Sequence, residues 1–287
     1  MTTPHRLASQ RILTLGLLTL GSAALSGQVL LNEMFSGADL NTQNLPTSAA
    51  WFNSSTSGAS LSSGALSITS GRSLAAFFTA AGSPQALTAA GDSLVLSFDV
   101  AYSAATDPTS PAALKVAVFN SAEVRPTAQG VNNIYAPYSG YAVSYAYQTV
   151  VTTRERPAGT TNVSLLTSIA SFATVGSGTT LNLVDEPFPT YYLGTFSLTR
   201  NGEGGLDLSY TLTEKLNPAN TFTYAVTAAS PVTLAFDTIA FANTTGTDMV
   251  IDNVKVEYFA IPEPSTFAAL AGALVLFASV LYRRRRA

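Results

Sequence analysis

Apolar residues in the middle of this chain recur at every second position, and that period fixes the fold class. Leu94, Leu96, Phe98 and Val100 alternate with Ser97 and Asp99, and Leu114, Val116 and Val118 with Lys115 and Ala117. Tyr141, Val143, Tyr145 and Tyr147 share one face, with Ala142, Ser144 and Ala146 on the other. A period of two segregates side chains on the two faces of a β-strand, whereas a helix needs a period near 3.6. No interior segment sustains the helical period. Phe196 and Leu198 lead into Asn201-Gly202-Glu203-Gly204-Gly205, and Leu206, Leu208, Tyr210 and Leu212 return from it. Asn-Gly tolerates the positive φ angles of a tight reversal, so a hairpin is expected there. Further strands are expected over 29–35, 66–69, 74–79, 222–228, 239–242 and 250–258. About a dozen short strands, undivided by a long Pro/Gly/Ser linker or a fixed repeat, predict an all-β, two-sheet sandwich.

Composition removes several kinds of chemistry. There is no cysteine in the 287 residues, hence no disulfide framework, thiolate metal site or thiol nucleophile. The single histidine, His5, falls in an expected leader, which excludes a Ser-His-Asp triad and His-ligated zinc. Only 11% of residues are charged against 47% hydrophobic, and mean hydropathy is +0.26. Much of that apolar excess lies at the two ends.

Residues 1–27 have the three parts of a secretory signal: Arg6 and Arg11, an apolar stretch over 12–25, and the small residues Ala24, Ser26 and Gly27 at a cleavage point. The alternative is an uncleaved N-terminal anchor, although about 14 apolar residues span a bilayer poorly. At the other end Ile261-Pro262-Glu263-Pro264-Ser265-Thr266 precedes an uncharged stretch over 265–282, then Arg283, Arg284, Arg285 and Arg286. As a helix that stretch runs about 27 Å, close to the roughly 30 Å hydrocarbon core. The arginines stay cytoplasmic by the positive-inside rule, which leaves residues 28–260 exported.

The order Pro262-Glu263-Pro264, spanning helix and arginine cluster resembles the PEP-CTERM sorting signal of exported bacterial proteins. That resemblance, over residues 261–287, implies a substrate of exosortase, a membrane-embedded cysteine transpeptidase of bacteria that make exopolysaccharide. Each proline disfavours helix at the residue before it, so Glu263 is presented on an extended segment. The expected partners are signal peptidase and the secretion machinery, the transpeptidase, the membrane and exopolysaccharide. The expected location is the inner membrane, then the envelope or extracellular matrix after processing.

Without its ends the chain holds 8 basic and 16 acidic residues, a net charge of −8. An acidic domain without clustered Lys and Arg argues against nucleic-acid binding. The hairpin over 196–212 and the closing stretches FDTIAFAN and MVIDNVKVEYF resemble jelly rolls of the concanavalin A-like or laminin-G-like class. The resemblance implies a sandwich used by lectins, glucanases and inert spacers alike.

Candidate sites are few. A retaining glucanase needs two carboxylates about 5 Å apart, and no E-x-D-x-x-E pattern supplies them. Asp185-Glu186 precedes Pro187 as a solvated loop, and Glu203 and Asp207 flank a turn. No catalytic residue is expected. By the jelly-roll resemblance, Glu33 and Asp252, with Asp248 or Asp237 as helpers, are candidates for a structural calcium ion. Asp252-Asn253 also suits local bonding to backbone. For glycan stacking, Tyr135 and Tyr138 lie in a Pro/Gly-bearing loop and are the better candidates, whereas Tyr141, Tyr145, Tyr147 and Trp51 suit a core. Arg154-Glu155-Arg156 is expected as a solvated loop. The reading is an exported structural or interaction protein of the cell envelope, the alternative a carbohydrate-binding module and, remotely, a glycan-active enzyme.

Overall fold

Strands form wherever the alternation places them, and in several places where it gave no sign. In chain order they are β1 (Gln28–Glu33), β2 (Trp51–Asn53), β3 (Ala59–Ser62), β4 (Ala65–Ile68), β5 (Arg72–Phe77) and β6 (Gln85–Ala86). There follow β7 (Ser93–Tyr102), β8 (Ala113–Asn120), β9 (Ser139–Ala146), β10 (Val150–Arg156), β11 (Ala173–Thr180) and β12 (Tyr192–Arg200). The last are β13 (Leu206–Glu214), β14 (Thr221–Ala228), β15 (Ala235–Phe236), β16 (Thr238–Asn243) and β17 (Met249–Phe259). This computed structural model describes residues 27–37, 39–102, 113–146, 150–169, 172–180, 191–244 and 247–261, with 272 and 284 besides. Residues 1–26, Pro262, Glu263, Pro264, Arg283, Arg285 and Arg286 lie outside them, as does nearly all of the 265–282 stretch. Among the described residues no helix is long and apolar enough to cross a membrane.

Among the described residues all pairings are antiparallel, and they build a two-stranded sheet, β15-β6, and two large ones. One has eight strands in the order β14-β13-β12-β7-β17-β4-β3, with β1 also paired to β17. The other has seven, in the order β11-β10-β9-β8-β16-β5-β2. Strand β17 carries β7 along one side and shares its other side between β4, at Met249–Ile251, and β1, at Val254–Tyr258. A bulge between Asp252 and Lys255 separates the two partners, and Asn253 there has φ 49°. The side-chain carboxylate of Asp252 accepts the Asn253 amide at 2.7 Å, the local bonding expected of that pair.

The main core fills the space between the sheets. Leu94, Leu96, Phe98 and Val100 of β7 face Val116, Val118, Tyr141 and Val143 of the second sheet, all fully buried. A second core lies on the opposite face of the seven-stranded sheet. There Ala75, Ala117, Ala142 and Ala240 are covered by Tyr135, Tyr138, Leu165, Leu166 and Phe172. Alanines across adjacent strands leave room for residues 121–138 and 157–169, with Phe172, to lie on the sheet. Burying aromatic rings against them is favourable at about 25 cal/mol per Å².

This second core corrects one sequence expectation. Arg154-Glu155-Arg156 is not a solvated loop but the end of β10, and Arg156 is fully buried. Its guanidinium donates to the carbonyls of Ser164 (2.8 Å), Leu165 (3.2 Å), Asn162 (2.7 Å) and Tyr135. The hairpin between β12 and β13 forms as expected, by different means. The positive φ belongs to Gly204, and the Asn201 side chain accepts the amides of Glu203 and Gly205 at 3.1 and 2.8 Å.

Candidate functional site

The segment between β1 and β2, the turn between β2 and β3, and Gln129 enclose a polar cleft. It has two lobes of about 280 and 270 Å³, which share Asp39, Leu40 and Leu61. Asn41, Asn53, Ser55, Thr56 and Gln129 line the first lobe. Glu33, Phe35, Thr42, Ser48 and Trp51 line the second.

Each wall is fixed by polar contacts, of which those of Glu33 are buried. The Glu33 carboxylate accepts the Phe35 amide with one oxygen and the Ala49 amide with the other, both at 2.9 Å, and so pins both ends of the 35–48 segment. Gln43 accepts the Ala50 amide at 3.0 Å and donates to the Phe77 carbonyl at 2.9 Å. Gln129 reaches in from the far loop, accepting the Asn53 amide at 2.7 Å and donating to the Trp51 carbonyl at 2.7 Å and Asn41 Oδ1 at 3.1 Å. Trp51 is 1% exposed, between Phe35 and Phe241 at ring centroid distances of 5.5 and 6.0 Å. Its indole N–H makes no hydrogen bond among the described residues.

Asp39 stands where the lobes meet. Its Oδ1 accepts the amides of Asn41 (2.8 Å) and Thr42 (3.0 Å) and the Thr42 hydroxyl (3.1 Å). The Asn41 amide, followed by the Thr42 hydroxyl, holds this carboxyl below the ordinary aspartate value. Among the described residues Oδ2 meets only the Thr42 hydroxyl, at 3.4 Å. Asp39 is therefore an oriented anion with one oxygen to offer, surrounded by amides and hydroxyls. Of the two carboxylates that line the cleft, Glu33 has both oxygens bonded to backbone amides and Asp39 is exposed.

The residues singled out from sequence fare differently. Tyr135 and Tyr138 are fully buried in the second core, ring edge to ring face at 5.2 Å, and donate to the carbonyls of Val131 (3.1 Å) and Val124 (2.7 Å). Neither ring has a face for a sugar, which corrects their reading as a glycan site. The loop they occupy is Pro/Gly-bearing but folded onto the alanine rows. Tyr141 and Tyr145 belong to the main core, and Tyr147 lies outside the described residues. Glu33 and Asp252 are not brought together, which corrects the paired calcium reading. Glu33 pairs in register with the inward-facing Val254, whereas Asp252 pairs with Asp99, across from the core-facing Phe98 and Val100. Burial, with Asp99 opposite, pushes the Asp252 carboxyl above its usual value, while Asp99 takes Lys215 at 2.7 Å and Asn253 at 2.6 Å. Asp237 is committed to Ser121 and Arg125. Among the described residues no three His, Cys, Asp or Glu cluster as a metal site.

The cleft itself carried no sequence signal. Asp39 and Gln129 come from two separate loops and Asn53 from the end of β2, joined only when Gln129 bridges 76 residues to Asn53.

No family model matches the chain, and no curated protein matches it either. Among solved structures it is similar to the carbohydrate recognition domain of Emp46p in its potassium-bound form, at 10% identity and a TM-score of 0.45, covering 73% of this chain and 88% of that one. It is similar to lectin I-B4 from Griffonia simplicifolia in its metal-free form, at 10% identity and a TM-score of 0.45, covering 82% and 100%. Alginate lyase Aly36B matches at 9% identity and a TM-score of 0.43, covering 81% and 98%. Likenesses this distant carry nothing about ligand or activity.

Proposed function

We propose that this chain is an exported envelope protein whose jelly-roll sandwich holds a polyhydroxylated glycan in the Asp39 cleft without transforming it. The observation that carries the binding reading is the Asp39 carboxylate, oriented by three hydrogen bonds at the junction of two polar lobes. A carboxylate accepts from sugar hydroxyls, and the side chains of Asn41, Ser55 and Thr56 in the same lobe offer complementary groups. The sequence supports export: a secretory leader, then Pro262-Glu263-Pro264, an apolar stretch and four arginines. In this account signal peptidase removes the leader, the C-terminal helix anchors the protein in the inner membrane, and an exosortase-type transpeptidase transfers it to the envelope or exopolysaccharide matrix.

Affinity electrophoresis of the purified protein through gels containing neutral and anionic polysaccharides tests the binding reading. Retardation in at least one polysaccharide, lost in Asp39→Ala and kept in Glu203→Ala, is the expected result. No retardation of the wild type in any of them contradicts it.

A ligand-free structural role is the second reading. The outward positions of β12, β13 and β14 include Thr195, Ser197, Ser209, Thr211, Thr221 and Thr223. Such a hydroxyl-rich face, interrupted by Asp207, suits a hydrated spacer.

A further inference from the structure

Asp92 ties the exit of the C-terminal segment to the body of the sandwich. Its Oδ1 accepts the Ile261 amide at 3.0 Å, and its Oδ2 accepts the amides of Thr88 and Ala89, both at 2.9 Å, and the Tyr258 hydroxyl at 3.0 Å. Asp92 is 1% exposed, so this is a buried latch. The β12–β13 turn is fastened to the same place. The Gly91 amide donates to the Arg200 carbonyl at 2.7 Å, the Arg200 amide to the Asp92 carbonyl at 2.9 Å, and the Arg200 guanidinium to the carbonyls of Leu87 and Thr88. The 88–92 and 201–205 turns therefore form one end of the sandwich, and the chain leaves from that end at Ile261.

The cleft belongs to the other end. Its lining residues Ala59 and Leu61 pair with Ile68 and Leu66, which pair in turn with Met249 and Ile251 at the far end of β17. From Ile251 to Ile261 the chain advances roughly 30 Å at the rise of a β-strand. Beyond the latch, six peptide steps separate Ile261 from Phe267, where the apolar run begins, and they reach at most about 20 Å. Two prolines among those residues restrict the backbone further.

We infer that the anchored protein stands on its 88–92 and 201–205 turns against the bilayer, with the Asp39 cleft held away from the lipid and open to polymer outside. This rests on the C-terminal anchoring proposed above. Asp92 is its positioning residue, because it stops the last residues of the domain from peeling off and lengthening the tether.

The chain's lack of cysteine permits a direct test. The full chain carrying Glu203→Cys or Thr56→Cys is labelled with a fluorophore and reconstituted into phosphatidylethanolamine/phosphatidylglycerol vesicles containing a headgroup energy acceptor. Energy transfer at position 203 should exceed that at 56 by about twofold or more, given the roughly 30 Å between the two ends. Adding Asp92→Ala should narrow the difference, while circular dichroism confirms that the sheet persists. Equal or reversed transfer in a chain that floats with the vesicles overturns the orientation. Failure of the chain to float overturns the anchoring on which it rests. An unchanged difference in folded Asp92→Ala removes Asp92 from the positioning role.

Discussion

The Arg156 guanidinium lies 5.2 Å from the centroid of the Phe172 ring and, among the described residues, has only main-chain carbonyls as hydrogen-bond partners. Burial lowers its pKa to about 10, and it still carries its proton at neutral pH. A planar fork with several N–H groups gathers carbonyls from both covering loops, which a lysine cannot do. Arg156→Lys should therefore destabilise the protein by about 3 kcal/mol, through carbonyls left unpaired in the second core. Urea denaturation measures this, and a loss below about 0.5 kcal/mol contradicts the role.

Alkaline pH probes the two cores together. Burial raises Tyr135 to about 12 and drives Tyr138 and Tyr141 higher still, from an ordinary value of 10.0. Above pH 10 the unfolded chain releases these protons while the folded chain keeps them, so stability falls as pH rises. Lys115 acts oppositely. Burial, then nearby Arg154, lowers it from 10.5 to about 8, so its folded form sheds a proton first and stability rises with pH through that window. The thermal midpoint should climb above about pH 8 and turn over beyond pH 10. Tyrosinate absorbance should appear with unfolding and not before it.

At the edge of the seven-stranded sheet, a Cβ on Gly178 would run into the ring of Tyr224, which belongs to the edge strand of the other sheet. Gly178→Ala should cost about 1–3 kcal/mol by overpacking. Most of that loss should be recovered in Gly178→Ala/Tyr224→Ser, and a double-mutant cycle measures the coupling. Additive effects would show that the two edges do not pack as described.

Sorting is tested by Glu263→Ala with fractionation of the producing cells. The variant should accumulate untrimmed in the membrane fraction. Normal trimming and release would contradict recognition of Pro262-Glu263-Pro264.

What was legible in the sequence follows from where each strand lies. Strands β7, β12 and β13 each have one face in the core and one outside, so their alternation was plain. Strand β11 was not, because its Gly176 and Gly178 contribute space and Tyr224 and Val226 of β14 supply the apolar atoms. Strand β10 hid behind the charges of Arg154 and Arg156, whose partners are loop carbonyls with no residue-type signature. Tyr135 and Tyr138 looked exposed because a polar loop ordinarily runs over the surface, and nothing local announces that alanine rows lie beneath. The cleft was invisible for a related reason. Its defining contacts join loops distant in sequence, and Asp39 shows its role only through the amides it collects.

The proposed function rests on glycan binding in the cleft through Asp39. Calorimetric titration of the polysaccharide fragment that retards the protein most, against wild type, Asp39→Ala and Tyr138→Phe, tests it directly. Asp39→Ala should lose at least about tenfold in affinity, some 1.4 kcal/mol, while Tyr138→Phe should bind as the wild type does. Undiminished binding by folded Asp39→Ala, or binding lost in folded Tyr138→Phe, would contradict it.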